Sequence, residues 1–291
     1  MFSERIEFVQ RKFSPLFSQD NEAIFFNPET PSHCLSLSLD KLVAYQTLFP
    51  VVDQLETAGI KCVQSISQRK FNLAIISIPK SKKLARHLIY LATKAVPEGL
   101  IIVDGNKSNG IESIIRDLEK KIKITNVVSK AHGKTAWFET PADLEIYKDI
   151  PLKIEDGFET QAGVFSSDGV DPASKLLIQL LPRDLTGVGA DLGGGWGYLS
   201  AKVLKTNSIR ELHFIEADFT AINLAKNNLN DKRVKFYWCD ALKWKAPKLL
   251  DFIIMNPPFH HLGRAIPTLG VDFIKVASRN LKKSGTLWMV A

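Results

Sequence analysis

Cysteine is scarce in this chain of 291 residues. There are three, Cys34, Cys62 and Cys239, far apart and odd in number. No Cys-x-x-Cys pair occurs, so neither a zinc site nor a disulfide framework is expected, and no metal is assigned. A reducing compartment, the cytoplasm, suits such a sequence. Also missing is any apolar run long enough to cross a bilayer. The opening Met1-Phe-Ser-Glu-Arg-Ile-Glu lacks the apolar core of a signal peptide, so no membrane partner is expected. With 45% hydrophobic and 24% charged residues, the composition excludes a wholly disordered chain. The length suits two domains. A net charge of +7 points to an anionic partner, nucleic acid ahead of membrane, although the basic residues are spread over both halves.

The stretch that organises the second half is Asp251-Phe-Ile-Ile-Met-Asn256-Pro257-Pro258-Phe259-His260-His261. The apolar run from Phe252 to Met255 reads as a buried strand. The two prolines end it, because each lacks the N–H that a central ladder needs. Asn256 then sits at a strand end, with Phe259 in the loop beyond. In open α/β sheets, ligands bind outside the carboxyl ends of the strands. An amide, a stiff turn and an aromatic ring there suit a flat, hydrogen-bonding group. A proline-stiffened loop with Asn as an ordinary turn former is the plainer alternative.

Upstream lies Asp191-Leu-Gly193-Gly194-Gly195-Trp196-Gly197, following a short apolar strand and opening a helix at Leu199. Glycines permit a tight turn and close backbone approach to a ligand. An acid follows 25 positions on, Glu216, at the end of Glu211-Leu-His-Phe-Ile215, where a carboxylate can accept from ribose hydroxyls. A third strand, Val234 to Trp238, leads into Cys239-Asp240. Asp191, Glu216, Asp240 and Asn256 thus close four successive strands, and four polar strand ends form one rim. The glycine spacing is not that of a dinucleotide fingerprint. Asp191 would repel a pyrophosphate but suits a cationic or amino-acid ligand. Before this turn, Gly163-Val-Phe165-Ser-Ser-Asp168-Gly-Val-Asp171-Pro172 precedes a helix over 173–181, with Asp171 as its cap and Pro172 at its first position.

The first half also alternates strands and helices, so it too should be α/β. Expected strands are Leu35-Ser-Leu-Ser-Leu39 (by its period of two), Phe71–Ile78, Gly99–Val103 and Ala136–Phe138. Expected helices are Leu42–Ala58, Ser81–Ala95 and Ile111–Lys121. Residues 139–151 read as a linker, giving domains 1–150 and 151–291. Laying residues 72–80 over 251–259 aligns the apolar strand and its second proline, as an old duplication would. Ser77 then stands for Asn256 and Lys80 for Phe259, and no Gly-rich turn is present.

From about Phe158 onward the chain resembles the small-domain family of class I S-adenosylmethionine-dependent methyltransferases. More narrowly, it resembles the bacterial enzymes that methylate the guanine N2 amine of 16S ribosomal RNA. The motifs Gly-Val-Phe-Ser-x-Asp-Gly, Asp-x-Gly-x-Gly-x-Gly and Asn-Pro-Pro-Phe-His occur in the family's order. The resemblance implies a Rossmann-like methyltransferase sheet in the C-terminal half and a degenerate methyltransferase-like domain before it. It implies S-adenosylmethionine held by Phe165, Asp191, Gly193, Gly195, Gly197, Glu216, Asp240 and Asn256. Catalysis would fall to Asn256, Pro257, Pro258 and Phe259. The implied partner is ribosomal RNA or the 30S subunit, met by a monomer. Asn256 and the Pro257 carbonyl would accept the two hydrogens of the target amine, and Phe259 would stack on an extruded base. Adenine-N6 and protein-glutamine methylation use the same kind of turn, and a non-catalytic RNA-binding or assembly protein is the remaining reading. Trp196 is bulky where the family has a small residue and threatens to narrow the pocket, and Gly194 stands where Cys is common. The chain ends within the expected fifth strand, where the family continues, so an unfinished sheet edge is expected.

Overall fold

The computed structural model describes residues 2–13, 16–66, 69–258, 260–261, 264–265 and 267–290. The chain divides into two compact units with the main division between Ile150 and Pro151, the segment Leu48–Pro50 grouping with the second.

The first unit contains α1 (Phe2–Lys12), β1 (Glu22–Phe26), α2 (Pro31–Leu35), β2 (Lys41–Tyr45), α3 (Phe49–Thr57), β3 (Lys61–Val63) and β4 (Leu73–Ser77). These are followed by α4 (Lys82–Ala95), β5 (Gly99–Asn106), α5 (Ile111–Glu119), β6 (Asn126–Lys130) and β7 (Gly133–Thr140). The sheet order is β3-β2-β1-β4-β5-β7-β6, with β7 antiparallel to both its neighbours. All five residues of β4 are buried, as a parallel strand covered on both faces requires. Ser81 caps α4 by accepting from the Leu84 N–H (3.3 Å). Ser81→Ala should therefore lower the stability of this unit by about 1 kcal/mol in chemical denaturation.

Two expectations for this half are corrected. Leu35–Leu39 is not a strand. Pro31 stands at the start of the short helix α2, and Cys34 is buried from it. Leu42–Ala58 is not one helix either. Its first four residues belong to β2, which pairs with β1 and β3 and buries Val43 and Ala44 between them. Only from Phe49 does the chain turn helical. Five alternating residues carry little information, and pairing with a neighbouring strand outweighed local preference.

The second unit opens with two short strands, β8 (Leu152–Lys153) and β9 (Glu159–Thr160). It continues with α6 (Pro172–Leu180), β10 (Gly187–Leu192), α7 (Tyr198–Val203), β11 (Ile209–Glu216), α8 (Phe219–Asn228), β12 (Val234–Trp238) and β13 (Leu250–Met255). The hairpin β14 (His260–His261) and β15 (Arg264–Ala265), then α9 (Pro267–Asn280) and β16 (Leu281–Met289), complete it. The main sheet runs β12-β11-β10-β13-β16, all parallel. Alternate residues of β13 enter two separate cores. Phe252 and Ile254 pack with Leu199, Val203 and Ile222 of the helices on one face. Ile253 and Met255 pack with Phe273, Val276 and Ala277 of α9 on the other. This is a Rossmann-like sheet between two helical layers. The strand order reverses between β10 and β13, and a ligand crevice forms outside the carboxyl ends at such a switch point.

The two sheets share a strand order. Phe26 pairs with Tyr45 and Ile76, as Leu192 pairs with Ile215 and Met255. Just beyond these rows, Asn27 N–H donates to the Tyr45 carbonyl (2.9 Å) and Gly193 N–H to that of Ile215 (2.8 Å). The register therefore places Phe25, Asn27, Gln46 and Ser77 where the second unit has Asp191, Gly193, Glu216 and Asn256.

Candidate active site

β12, β11, β10 and β13 are neighbours in that order, so their carboxyl ends lie along one edge. Glu216 is the last residue of β11, Asn256 follows β13 and Asp240 lies two residues past β12. Asp191 is the second-last residue of β10, and its side chain is fully buried rather than on the rim.

The Gly-rich turn is held from below by β11. Gly193 and Gly194 N–H both donate to the Ile215 carbonyl, and Gly195 N–H donates to Glu216 Oε2 (2.7 Å). Glu216 Oε1 accepts from Asp218 N–H (2.7 Å). Gly193, Gly195 and Gly197 have positive φ of 74°, 59° and 99°, which L side chains resist. Gly194 is required for another reason: a Cβ there would lie 2.3 Å from the Phe214 ring. Phe214 thus occupies the space that a larger residue at 194 would need.

Trp196 belongs to an aromatic cluster beside the turn. Its indole is buried against Phe158 (5.2 Å between centroids) and Tyr198 (5.9 Å). Its Nε1 donates to the Phe165 carbonyl (3.0 Å), tying the turn to the loop ahead of α6. The Phe165 side chain is itself 63% exposed. One cleft gathers Phe165, Gly193, Gly195 and Asn256, together with Asp171, Ser174 and Trp196. Asp191, Gly197, Glu216 and Asp240 do not line it. Asp240 Oδ1 accepts from Leu242 N–H (2.9 Å), closing the turn after β12.

Asn256 is half-buried, and its Nδ2 donates twice, to Asp171 Oδ2 and to Ser174 Oγ, both at 2.9 Å. Pro257 is buried and Pro258 exposed. Phe259 lies outside the described residues. Among the described residues, no cluster of three or more His, Cys, Asp or Glu is placed to hold a metal, and no helix is long and apolar enough to cross a membrane.

Residues 155–291 match the model of the methyltransferase small domain, and residues 20–139 that of its N-terminal companion. The chain is 30% identical over 235 residues to the ribosomal RNA small subunit methyltransferase C of Shewanella pealeana, covering 76% of this chain and 68% of that protein. The chain belongs to the small-domain family of S-adenosylmethionine-dependent methyltransferases. The homonymous protein of Shewanella loihica is 29% identical over 252 residues, covering 81% of this chain and 73% of its own. A T. Thermophilus 16S rRNA N2 methyltransferase, solved with AdoMet and guanosine, shares the fold with a TM-score of 0.76 at 21% identity, over 99% of this chain and 83% of that one.

The residues of this methyltransferase fit its cofactor. Asp191 Oδ2 accepts from Ser200 Oγ (2.6 Å), but Oδ1 is buried and lacks a partner among the described residues. Burial pushes the Asp191 carboxyl up to about 7 against the Ser200 hydrogen bonds. A buried acceptor without a donor is costly, and a cationic amine is the donor that would offset that cost. Glu216 is likewise raised to about 7 by burial, against the backbone N–H groups of Asp218, Gly195 and Ala217.

Two features of the site escaped the sequence reading. Asp171 was expected to cap α6, and it does: its Oδ2 accepts from Ser174 N–H at 2.8 Å. That the same oxygen also holds Asn256 was not legible, nor was the indole bond of Trp196. The one available signal was the polar Asp-Pro-Ala-Ser pattern facing a strand-end amide, which is too common to single out.

Proposed function

We propose that this methyltransferase acts on ribosomal RNA, methylating the exocyclic N2 amine of a guanine in the small-subunit RNA. The observation that carries the reading is the state of Asn256. Both of its amide hydrogens are engaged, which leaves Oδ1 as the accepting end of a side chain that lines the cleft. The relatives named small subunit methyltransferase C support the choice of RNA.

The bound cofactor supplies a methyl group already activated by its sulfonium, so the protein's task is alignment. An exocyclic amine delocalises its lone pair into the ring and is a poor nucleophile. Asn256 Oδ1 takes one amine hydrogen and the Pro257 carbonyl the other, drawing the nitrogen toward a tetrahedral shape. Pro258 restrains the direction of that carbonyl. Asp191 and Glu216 orient the cofactor from beneath the glycine turn. Phe259 stacks on the unpaired base.

The first unit serves RNA binding or the stability of the second and takes no cofactor. Phe25 stands at the position of Asp191 and Asn27 at that of Gly193. Gln46 is buried, its Nε2 donating to the Pro28 carbonyl (2.9 Å) and its Oε1 accepting from Thr47 N–H (2.8 Å). The place of a ribose acceptor is thus taken by the chain itself.

A large-subunit target is the second reading. A ribosomal RNA large subunit methyltransferase G of Yersinia pestis is 29% identical over 233 residues, covering 75% of this chain and 58% of that protein. The test is methylation of naked rRNA, 30S and 50S subunits and 70S ribosomes with labelled cofactor, followed by mapping. Label on a 16S guanine N2 is expected. Label confined to 23S RNA would select the second reading, and label in protein alone would overturn both. Calorimetry should give one cofactor per chain; two would contradict the assignment of the first unit.

A further inference from the structure

Asn256 presents a problem of orientation. A carboxamide has a donor end and an acceptor end of nearly equal size, and rotation about its last torsion exchanges them. Only the oxygen is useful toward an amine, since the NH2 end would set donor against donor. The turn Asn256-Pro257-Pro258 restrains the backbone but does not choose between the two ends.

The choice is made from α6. Asp171 Oδ2 and Ser174 Oγ each lie 2.9 Å from Asn256 Nδ2. A carboxylate has no hydrogen to give, so only the nitrogen of Asn256 can face it. Two acceptors for two amide hydrogens leave the nitrogen with none to spare. Asp171 is itself held, because the same Oδ2 accepts from Ser174 N–H at 2.8 Å. Ser174 is 6% exposed, and its helical position is set by that cap. A negative acceptor on the amide N–H also shifts electron density toward the amide oxygen, which strengthens it as an acceptor.

We propose that Asp171 and Ser174 are positioning residues for methyl transfer: they hold both amide hydrogens of Asn256 and so fix its oxygen toward the target amine. This rests on the reading of Asn256 given above. It assigns to the N-cap of α6 a second task besides capping, and it makes the site selective for a nucleophile that donates two hydrogens.

The test separates the two tasks. Asp171→Ser keeps a good N-cap but draws the acceptor back from Asn256, and Ser174→Ala removes the other acceptor without harming a helix. In the double variant, the unfolding midpoint and cofactor affinity should stay near those of the parent. The single-turnover rate at saturating RNA should fall at least tenfold, with little change in KM. In protein carrying 15N-labelled asparagine, the Asn256 side-chain amide protons should lose their protection from solvent exchange. An unchanged rate with lost protection would overturn the proposal. So would a rate that falls only in proportion to lost folded protein.

A swap supplies the rescue. Asn256→Asp alone places a carboxylate against Asp171 and should be slow. Combined with Asp171→Asn, an amide at 171 turns its NH2 toward the carboxylate at 256, giving up the cap on Ser174 N–H at a cost in unfolding midpoint, and leaves that carboxylate's second oxygen for the amine. The double swap should exceed the slower single variant at least tenfold, and losses that simply multiply would overturn the proposal. If Asn256→Ala itself proved harmless, the reading of the turn would fail instead, which keeps the two failures distinct.

Discussion

Asn256→Ala is expected to slow methyl transfer by about 100-fold or more while leaving cofactor affinity nearly intact. Removing the side-chain oxygen leaves one amine hydrogen unpaired in a partly dry cleft, a cost of roughly 1–3 kcal/mol, or about 5- to 150-fold. Misaimed attack adds to this, because a displacement of about 1 Å at the reacting atoms can cost about 100-fold. Cofactor affinity should survive because the acidic side chains assigned to the cofactor, Asp191, Glu216 and Asp240, come from β10, β11 and the turn after β12, which leaves Asn256 a minor share of its binding. Single-turnover kinetics with saturating cofactor on the mapped RNA measures the effect. A rate within a few-fold of the parent would remove this turn from the chemistry.

Cofactor affinity should depend steeply on pH below 7. Burial raises both Asp191 and Glu216 to about 7, so each binds a proton in the cofactor-free protein as pH falls through that value. A cationic amine and ribose hydroxyls donate to the ionised carboxylates, so the bound state requires the proton to leave. Affinity therefore rises with pH, by at most about tenfold per unit for each group below its pKa. The rise levels off above pH 7, and affinity falls again above about pH 7.7–8.0, where an α-amine gives up its proton. Asp191→Asn should flatten the profile as well as weaken binding. Glu216→Ala should raise Kd by about 10- to 150-fold, the loss of a charge-assisted hydrogen bond of roughly 1.5–3 kcal/mol. Calorimetry between pH 6 and 7.5 reads both, and a flat profile in the unmutated protein would contradict the assignment of Asp191.

The same shifts have the opposite sign for the stability of the cofactor-free fold. The folded pKa lies above the unfolded values of about 3.9 and 4.3, so the native state holds more protons between pH 4 and 7. Stability then falls as pH rises through that window and levels off above 7. The stabilisation conferred by saturating cofactor should accordingly grow from pH 6 to pH 7.5.

How far the molecule could be read in advance divides along the range over which each physical rule acts. The prolines after Met255 ended β13 where expected, because the missing N–H is a property of the residue itself. The strands expected over 71–78 and 99–103 formed as Leu73–Ser77 and Gly99–Asn106, the helix expected from Ser81 began at Lys82, and Asp171 capped the helix that follows it. The glycines at 193, 195 and 197 turned out to need positive φ, as a tight strand-to-helix turn demands. Glu216 fell at a strand end because the alternation of strand and helix is written in short apolar runs. These local signals placed the turn and most of the rim at one sheet edge.

What lay beyond them were partnerships between polar groups far apart in the chain. The bidentate pair of Arg5 with Asp104 is buried in the first unit across 99 positions, on a helix, α1, that no expectation included. Burial of Asp191 beneath the turn, with Ser200 on one oxygen and no partner among the described residues for the other, depends on how α7 packs against β10. The Trp196 indole lines the cleft, as its bulk suggested, but that it also joins an aromatic cluster and binds a loop carbonyl 31 positions away was not legible. The bond from Asn256 to Asp171 spans 85 positions. The sequence by itself determined which residues end strands, turn the chain and cap helices, because those preferences act within a few residues. Only the tertiary structure decided which donor meets which acceptor, because buried polar groups take whatever partner the topology brings within about 3 Å.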